Sequence, residues 1–265
     1  MLSKIYEGYA ILFAKPIFRK WNKFLYHLSL RGLGVLNYRT EKLRGEYDWI
    51  NSYLKNIKSP FVIDVGANVG NYTNDIININ KTSSLVAIEP HPATFLKLKS
   101  NVLSKKVVLY NYAIGNTEGE LELFDYAQKD GSSHASLYKD VISDLHKGEV
   151  ISHNVKVKTL DSILEKNTKT IDLLKIDTEG NEFNVLLGAK QLLDKNTIRA
   201  IHLEFNEMNI ISKTSFKDFW DLLSDKFTFN RILPNGKLLP IYNYSPIDCE
   251  IYHYQNIVCL QKNSK

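Results

Sequence analysis

Several apolar runs in this chain end in an acid, and the first is followed by a glycine turn. Phe61-Val62-Ile63-Asp64-Val65 leads into Gly66-Ala67-Asn68-Val69-Gly70, and Asn71-Tyr72 then opens a helix predicted over 71–79. Strand, glycine turn, helix is how an α/β domain builds a cofactor cradle. The spacing is not the G-x-G-x-x-G of nicotinamide or flavin proteins. Asp64 stands ahead of the first glycine, where it can face a cationic group. S-adenosylmethionine carries an ammonium and a sulfonium and no phosphate. A site for it needs bare backbone and a nearby negative charge rather than a helix dipole aimed at pyrophosphate.

The second run, Leu85-Val86-Ala87-Ile88-Glu89-Pro90, places an acid 19 residues after Gly70. An acid at the tip of the second strand of such a domain accepts hydrogen bonds from ribose hydroxyls, and Pro90 ends the strand. Tyr110-Asn111-Tyr112-Ala113 follows, with Asn111 and Ala113 as candidates for an adenine slot. In Leu173-Leu174-Lys175-Ile176-Asp177-Thr178-Glu179-Gly180, strand alternation puts Lys175 and Asp177 on one face. Two carboxylates and a lysine at a strand end suit proton abstraction from a hydroxyl, and they also suit a structural ion pair. Asp177 is the candidate base or orienting group, supported by Lys175 and Glu179. Glu204 closes the next strand, sharing a face with His202, and borders the acceptor. His202, His91 and His134 read as structural, with no metal-ligand spacing.

These groups need a sheet to hold them. Strands are predicted at 61–65, 85–89, 107–112, 171–177, 198–205, 226–232 and 256–261, and helices at 71–79, 92–104, 181–193 and 214–224. The alternation predicts a mostly parallel sheet with helices on both faces. An insertion at about 115–170 interrupts it, with extra strands at 121–126 and 155–157. Between these lies a polar loop, Gln128-Lys129-Asp130-Gly131-Ser132-Ser133-His134-Ala135-Ser136, of the kind that carries substrate contacts. Residues 1–58 read as a helical extension ahead of a domain over 59–265. In that extension Ile17, Phe18, Trp21, Phe24, Leu25 and Leu28 recur at helical spacing. Pro16 separates two helices, and a further helix runs from about Glu46 to Lys55.

The net charge of +5 is unevenly placed. Residues 1–58 hold eleven Lys/Arg and four Asp/Glu, a net of +7; the remaining 23 basic and 25 acidic residues leave −2. A nucleic-acid enzyme would line its cleft with cations, so the balance argues against that partner. Two cysteines, Cys249 and Cys259, match no zinc spacing and read as core thiols of a reducing compartment. No apolar run approaches the roughly 20 residues that span a bilayer. No export signal is legible, which points to the cytoplasm.

Taken in order, these motifs resemble the FkbM family of S-adenosylmethionine-dependent methyltransferases. Asp64 through Gly70 resembles its cofactor loop, Glu89-Pro90 its ribose acid and proline, and Asn111 through Gly119 its third-strand segment. Thr159-Leu160-Asp161-Ser162-Ile163, Lys175 through Gly180 and Val185-Leu186-Leu187-Gly188-Ala189 resemble its second half. Gly45-Glu46 is similar to the element before its first strand. The resemblance covers about residues 45–205. It implies a class I methyltransferase fold: a Rossmann-like, seven-stranded sheet with one antiparallel strand near the edge. It also implies a cofactor site made of Glu46, Asp64, Gly66, Ala67, Asn68, Gly70, Asn71, Tyr72, Glu89, Pro90, Asn111, Ala113 and Asp177. The implied reaction is O-methylation, often of a sugar hydroxyl in a glycan, polysaccharide precursor or secondary metabolite.

The alternatives are a methyltransferase for protein or nucleic acid and a non-catalytic module of the same fold. Asp177-Thr178-Glu179-Gly180 stands where base amino-methyltransferases carry Asn/Asp-Pro-Pro-aromatic, and the glycine spacing excludes a nicotinamide oxidoreductase. No pair of acids has magnesium-site spacing, so divalent-metal dependence stays open. A homo-oligomer stays open too. The basic, aromatic-rich segment 1–40 suits either packing on the domain or peripheral contact with the inner face of a membrane, near a lipid-linked glycan.

Overall fold

The computed structural model describes residues 2–37, 40, 43–128, 131–132, 134–166 and 169–262. Lys129, Asp130 and Ser133 of the polar loop, and Arg39 of the basic segment, lie outside the described residues. Helices α1 (Leu2–Phe13) and α2 (Arg19–Gly32) are joined by a 3₁₀ turn at Pro16–Phe18. Next come α3 (Gly45–Leu54), β1 (Phe61–Val65), α4 (Asn71–Ile79), β2 (Ser84–Ile88), α5 (Pro92–Asn101) and β3 (Val107–Tyr110). The insertion holds β4 (Ala113–Ile114), β5 (Gly119–Tyr126), a π-helical turn at Val141–Leu145, β6 (Val150–Lys158) and α6 (Leu160–Ile163). Alternation resumes with β7 (Leu173–Ile176), α7 (Glu182–Leu187), α8 (Lys190–Asp194), β8 (Ala200–Phe205), α9 (Met208–Ile211) and α10 (Phe216–Leu223). The chain closes through β9 (Phe227–Ile232), β10 (Leu238–Ile241), α11 (Pro246–Cys249) and β11 (Gln255–Gln261).

Eight strands form the main sheet in the order β10-β9-β11-β8-β7-β1-β2-β3. β3, β2, β1, β7 and β8 are mutually parallel, and β11 runs antiparallel between β8 and β9. Seven of these strands make the expected class I arrangement. The eighth, β10, adds an antiparallel hairpin at the edge. Pro240 hides it from a sequence reading, because proline argues against a strand except at a sheet edge, where β10 lies. The strand expected at 107–112 ends at Tyr110, and the next one, β4 at Ala113–Ile114, joins a second sheet, β4-β6-β5, that carries the insertion. The helix expected at 181–193 breaks at Gly188, where a Cβ would meet the Gly115 carbonyl oxygen at 2.1 Å.

Strand alternation gives the sheet two buried faces. Ile63, Val65, Leu174 and Ile176 pack with Val185, Leu186 and Phe219 on one side. Val62, Leu85 and Leu173 pack with Trp49, Ile50, Leu54 and Ile76 on the other. This second face also carries a buried polar row. The pairing of Asp64 with Lys175, and of Lys175 with His202, sets those side chains across β1, β7 and β8 beneath α3 and α4. α3 reaches the sheet because Gly45 carries no side chain: a Cβ there would lie 2.2 Å from the Leu233 carbonyl oxygen. α1 and α2 do not join either core. Leu30 is their one buried residue among those described. Among the described residues no helix is long and apolar enough to cross a membrane.

Candidate active site

The carboxyl ends of β1, β2, β7 and β8 open into a cleft of about 860 Å³, counted with the space open to solvent. This edge is where open α/β sheets bind ligands. The turn after β1 is held against β2, with the Gly66 and Ala67 amides both donating to the Ile88 carbonyl at 2.9 Å. Gly66 sits at φ +82°, and a Cβ on it would come within 1.7 Å of the Asp177 carbonyl oxygen. Glycine is required twice there, for the dihedral and for the contact with β7. Glu89 leaves β2 into the cleft wall, 6% exposed. Its carboxylate accepts from the Asn68 amide at 2.9 Å and the His91 amide at 2.8 Å. Burial pushes its pKa up to about 7, against the lowering by those two amides.

Gly66, Asn68, Glu89, Pro90, Ala113, Asp177, Glu179 and Glu204 all line the cleft. The remaining candidates stand behind it. Asp64 is 1% exposed and accepts from the Thr73 hydroxyl at 2.6 Å. Burial raises its pKa to about 6. Asp64 thus anchors α4 to β1 rather than presenting a charge to the cavity. Ala67, Gly70 and Asn71 shape the turn into α4. Asn111 donates to the carbonyls of Glu89 and Pro90 at 2.8 and 2.9 Å, and so fixes the strand end instead of lining a slot. Tyr72 donates its hydroxyl to His202 Nδ1 at 3.0 Å, while His202 Nε2 meets Asn256 Oδ1 at 2.9 Å. Burial, then the Lys175 charge, keeps His202 neutral. Its partners fit the Nε2–H tautomer.

Lys175 is the centre of the second half. Its ammonium, 2% exposed, lies 3.4 Å from Asp177 and 3.9 Å from both Glu46 and Glu204. Burial alone would lower its pKa; Asp177, Glu204 and Glu46 together outweigh that and hold it well above the ordinary lysine value. Nζ makes no hydrogen bond among the described residues, so the ammonium is held by charge rather than by directed bonds. Asp177 is nearest, and at 36% side-chain exposure it is the most exposed of the three. Glu204 and Glu179 are both raised by burial first and by Asp177 second, which favours their protonated forms. Glu46, at the first turn of α3, lines a smaller adjoining cavity with Tyr254 and Asn256.

Other contacts were not among the sequence candidates. Glu182 Oε1 accepts from the Thr178 amide, the Thr178 hydroxyl and the Gly180 amide, clamping the turn that presents Glu179. Glu179 takes φ +55° in that turn. A glutamate three residues beyond an acid was the available signal. Leu123, Ala135 and Leu137 of the insertion, with Tyr112 and Ile114, form the apolar side of the cleft, and Ser132 lies beside them. His134 stands 3.5 Å from Glu179. His91 caps α5 and lies 3.5 Å from Asp125, tying the insertion to the sheet. Cys249 and Cys259 are both buried and free. Among the described residues no group of three or more His, Cys, Asp or Glu could hold a metal ion.

Residues 64–230 match the family model of the methyltransferase FkbM domain. Methyltransferase 1 of Beauveria bassiana is 30% identical over 145 residues, 48% of this chain and 57% of that protein. The 2-O-methyltransferase NoeI of Sinorhizobium fredii is 25% identical over 167 residues, 57% of this chain and 65% of that protein. The chain thus spans less than two thirds of the length of either relative. Among solved structures, the METTL16 MTase domain aligns with TM-score 0.46 and 12% identity, over 90% of this chain and 77% of that one. With a family match across more than half its length, and the motifs of that match gathered at one sheet edge, the chain belongs to the FkbM methyltransferase family.

Proposed function

We propose that the protein is an S-adenosylmethionine-dependent O-methyltransferase whose acceptor is an uncharged hydroxyl, most readily that of a sugar in a glycan, polysaccharide precursor or secondary metabolite. One observation carries this reading. Glu89, Asp177, Glu179 and Glu204 line the cleft, and no Lys, Arg or His is among its described lining residues. Such a wall suits a ligand bearing an ammonium and a sulfonium and repels a polyanion. That speaks for an uncharged acceptor and against nucleic acid.

The residues fit this cofactor. Glu89 keeps lone pairs for ribose hydroxyls beside its two amide donors. Tyr112, Ile114 and Leu137 supply an apolar surface for an adenine ring. When bound, the cofactor supplies a methyl group on a sulfonium leaving group. Asp177 takes the hydroxyl proton or aligns its oxygen, while Lys175 fixes the carboxylate from behind. Glu204 and Glu179 line the cleft beside Asp177, where their side-chain oxygens can hydrogen-bond acceptor hydroxyls. Transfer is an in-line displacement, in which positioning counts as much as basicity.

Calorimetry with S-adenosylmethionine and NAD side by side tests the cofactor. Binding of the first alone is expected. Methyl transfer to neutral sugars, run beside sugar phosphates, a peptide set and oligonucleotides, tests the acceptor. Preferential methylation of oligonucleotides or peptides would overturn the acceptor class.

A further inference from the structure

α1 and α2 form a hairpin with an uncovered apolar face. Tyr9 donates its hydroxyl to Asn22 Oδ1 at 2.6 Å, Asn22 donates to the Phe13 carbonyl at 3.0 Å, and the Phe13 and Phe18 rings meet edge to face. These contacts use one side of α2. On the next side Trp21, Phe24 and Leu28 recur at i, i+3 and i+7, a single helical stripe that Ile17 extends from the preceding 3₁₀ turn. All four are exposed, Ile17 by 84% and Trp21 by 50%. Leu2, Ile5, Tyr6, Tyr9 and Leu12 form a similar exposed stripe on α1.

Charge identifies the occupant of that face. Lys20, Lys23 and Arg31 lie alongside the α2 stripe, at i, i+3 and i+11 from Lys20. Residues 2–37 hold six Lys/Arg, namely Lys4, Lys15, Arg19, Lys20, Lys23 and Arg31, against one acid, Glu7. A second copy of the hairpin would meet these cations with its own. An apolar stripe flanked by cations is instead the composition of a helix lying in an anionic membrane interface.

The hairpin is also placed to matter. It is fixed to the body at Val35, which bridges Gln255 at the start of β11, and by the Leu36 amide donating to the Tyr254 carbonyl at 2.7 Å. Gln255 pairs with Phe205, the last residue of β8. The anchor therefore sits at the same sheet edge as the cleft. We infer that α1 and α2 dock the protein on an anionic lipid surface, with the cleft's edge of the sheet held at that surface. This inference does not depend on the acceptor assignment above.

Co-sedimentation of the full chain with equal-part phosphatidylglycerol–phosphatidylcholine vesicles, against pure phosphatidylcholine, tests it. Binding to the anionic vesicles alone is expected, with a blue shift in tryptophan emission that Trp21→Ser reduces. Each basic residue near an anionic surface strengthens binding about fivefold, so the triple change Arg19→Gln, Lys20→Gln, Lys23→Gln should weaken it by ~100-fold. All of these side chains are exposed, so the variants should retain wild-type melting temperature and cofactor affinity. Equal binding to both vesicle types, no binding to either, or a stable dimer in solution that buries Trp21 would each overturn the inference.

Discussion

The two halves of the cleft are built on different terms. On the β1–β2 side every acid has directed partners: Asp64 has the Thr73 hydroxyl, and Glu89 has two backbone amides. On the β7–β8 side the directed bonds belong to the supports Glu182 and His202, whereas Lys175 at the centre has three carboxylates within 3.9 Å and, among the described residues, no hydrogen bond. Fixed partners make a rigid, preorganised surface, as recognition of an invariant cofactor requires. An ammonium held by charge alone tolerates rearrangement of the carboxylates around it, as varied acceptors require. The first half should then respond to mutation through binding and stability, and the second through turnover.

The largest effect should come from Gly66→Ala, which breaks the rigid half outright. A side chain at φ +82° is strained, and its Cβ would overlap the Asp177 carbonyl. A loss of more than about 3 kcal/mol is expected in urea unfolding, with no measurable cofactor binding. Stability within a few tenths of wild type would show that the turn is looser than its contacts indicate.

Asp177→Asn is the corresponding break in the second half. Turnover should fall by ~10²-fold or more, with cofactor affinity and melting temperature little changed. A loss of cofactor affinity equal to the loss of turnover would erase the distinction between the halves.

Glu89 sharpens the comparison through affinity and pH. Glu89→Ala should weaken cofactor binding by at least roughly tenfold in calorimetry, since hydrogen bonds to a charged group are worth about 1.5–3 kcal/mol. Its folded pKa, about 7, lies above the ordinary 4.5. The folded state therefore holds a proton that the unfolded state releases between those values. Stability from this group is greatest at low pH and declines as pH rises from about 4.5 to about 7. Asp64, raised to about 6, adds a decline with the same sign. Glu89→Gln should flatten the Glu89 part of the slope in unfolding titrations, whereas an unchanged slope would assign the dependence elsewhere.

The smallest effect is expected from Asn111→Ala. It removes two hydrogen bonds to the Glu89 and Pro90 carbonyls and should cost about 1 kcal/mol of stability, with turnover nearly intact. A turnover loss like that of Asp177→Asn would place Asn111 in contact with substrate.

Much of the β1–β2 half of the cleft was legible because it is local. A strand, its glycine turn and the next helix are consecutive in the chain, so the spacing of Asp64, Gly66 and Gly70 records their geometry directly. Strand alternation likewise put Lys175 and Asp177 on one face before any packing was known. Asn111 and Asp64 were expected at the cleft, and the structure sets both behind its wall as supports. Which side of a strand meets solvent depends on what covers it.

By itself, then, the sequence determined the alternation of strands and helices, the three strand-end acids and the family. Local propensity and period-two patterning carry that information. Only the tertiary structure decided the rest. It brought Glu46 from α3, more than a hundred residues away in the chain, to within 3.9 Å of Lys175. It brought the insertion to the cleft so that Leu123, Ala135 and Leu137 form its apolar side. It also left the stripe of α2 uncovered, where a helical period alone does not distinguish a core-facing surface from a membrane-facing one. Contacts between segments distant in sequence depend on sheet order and crossover geometry, and no spacing within a single segment encodes those.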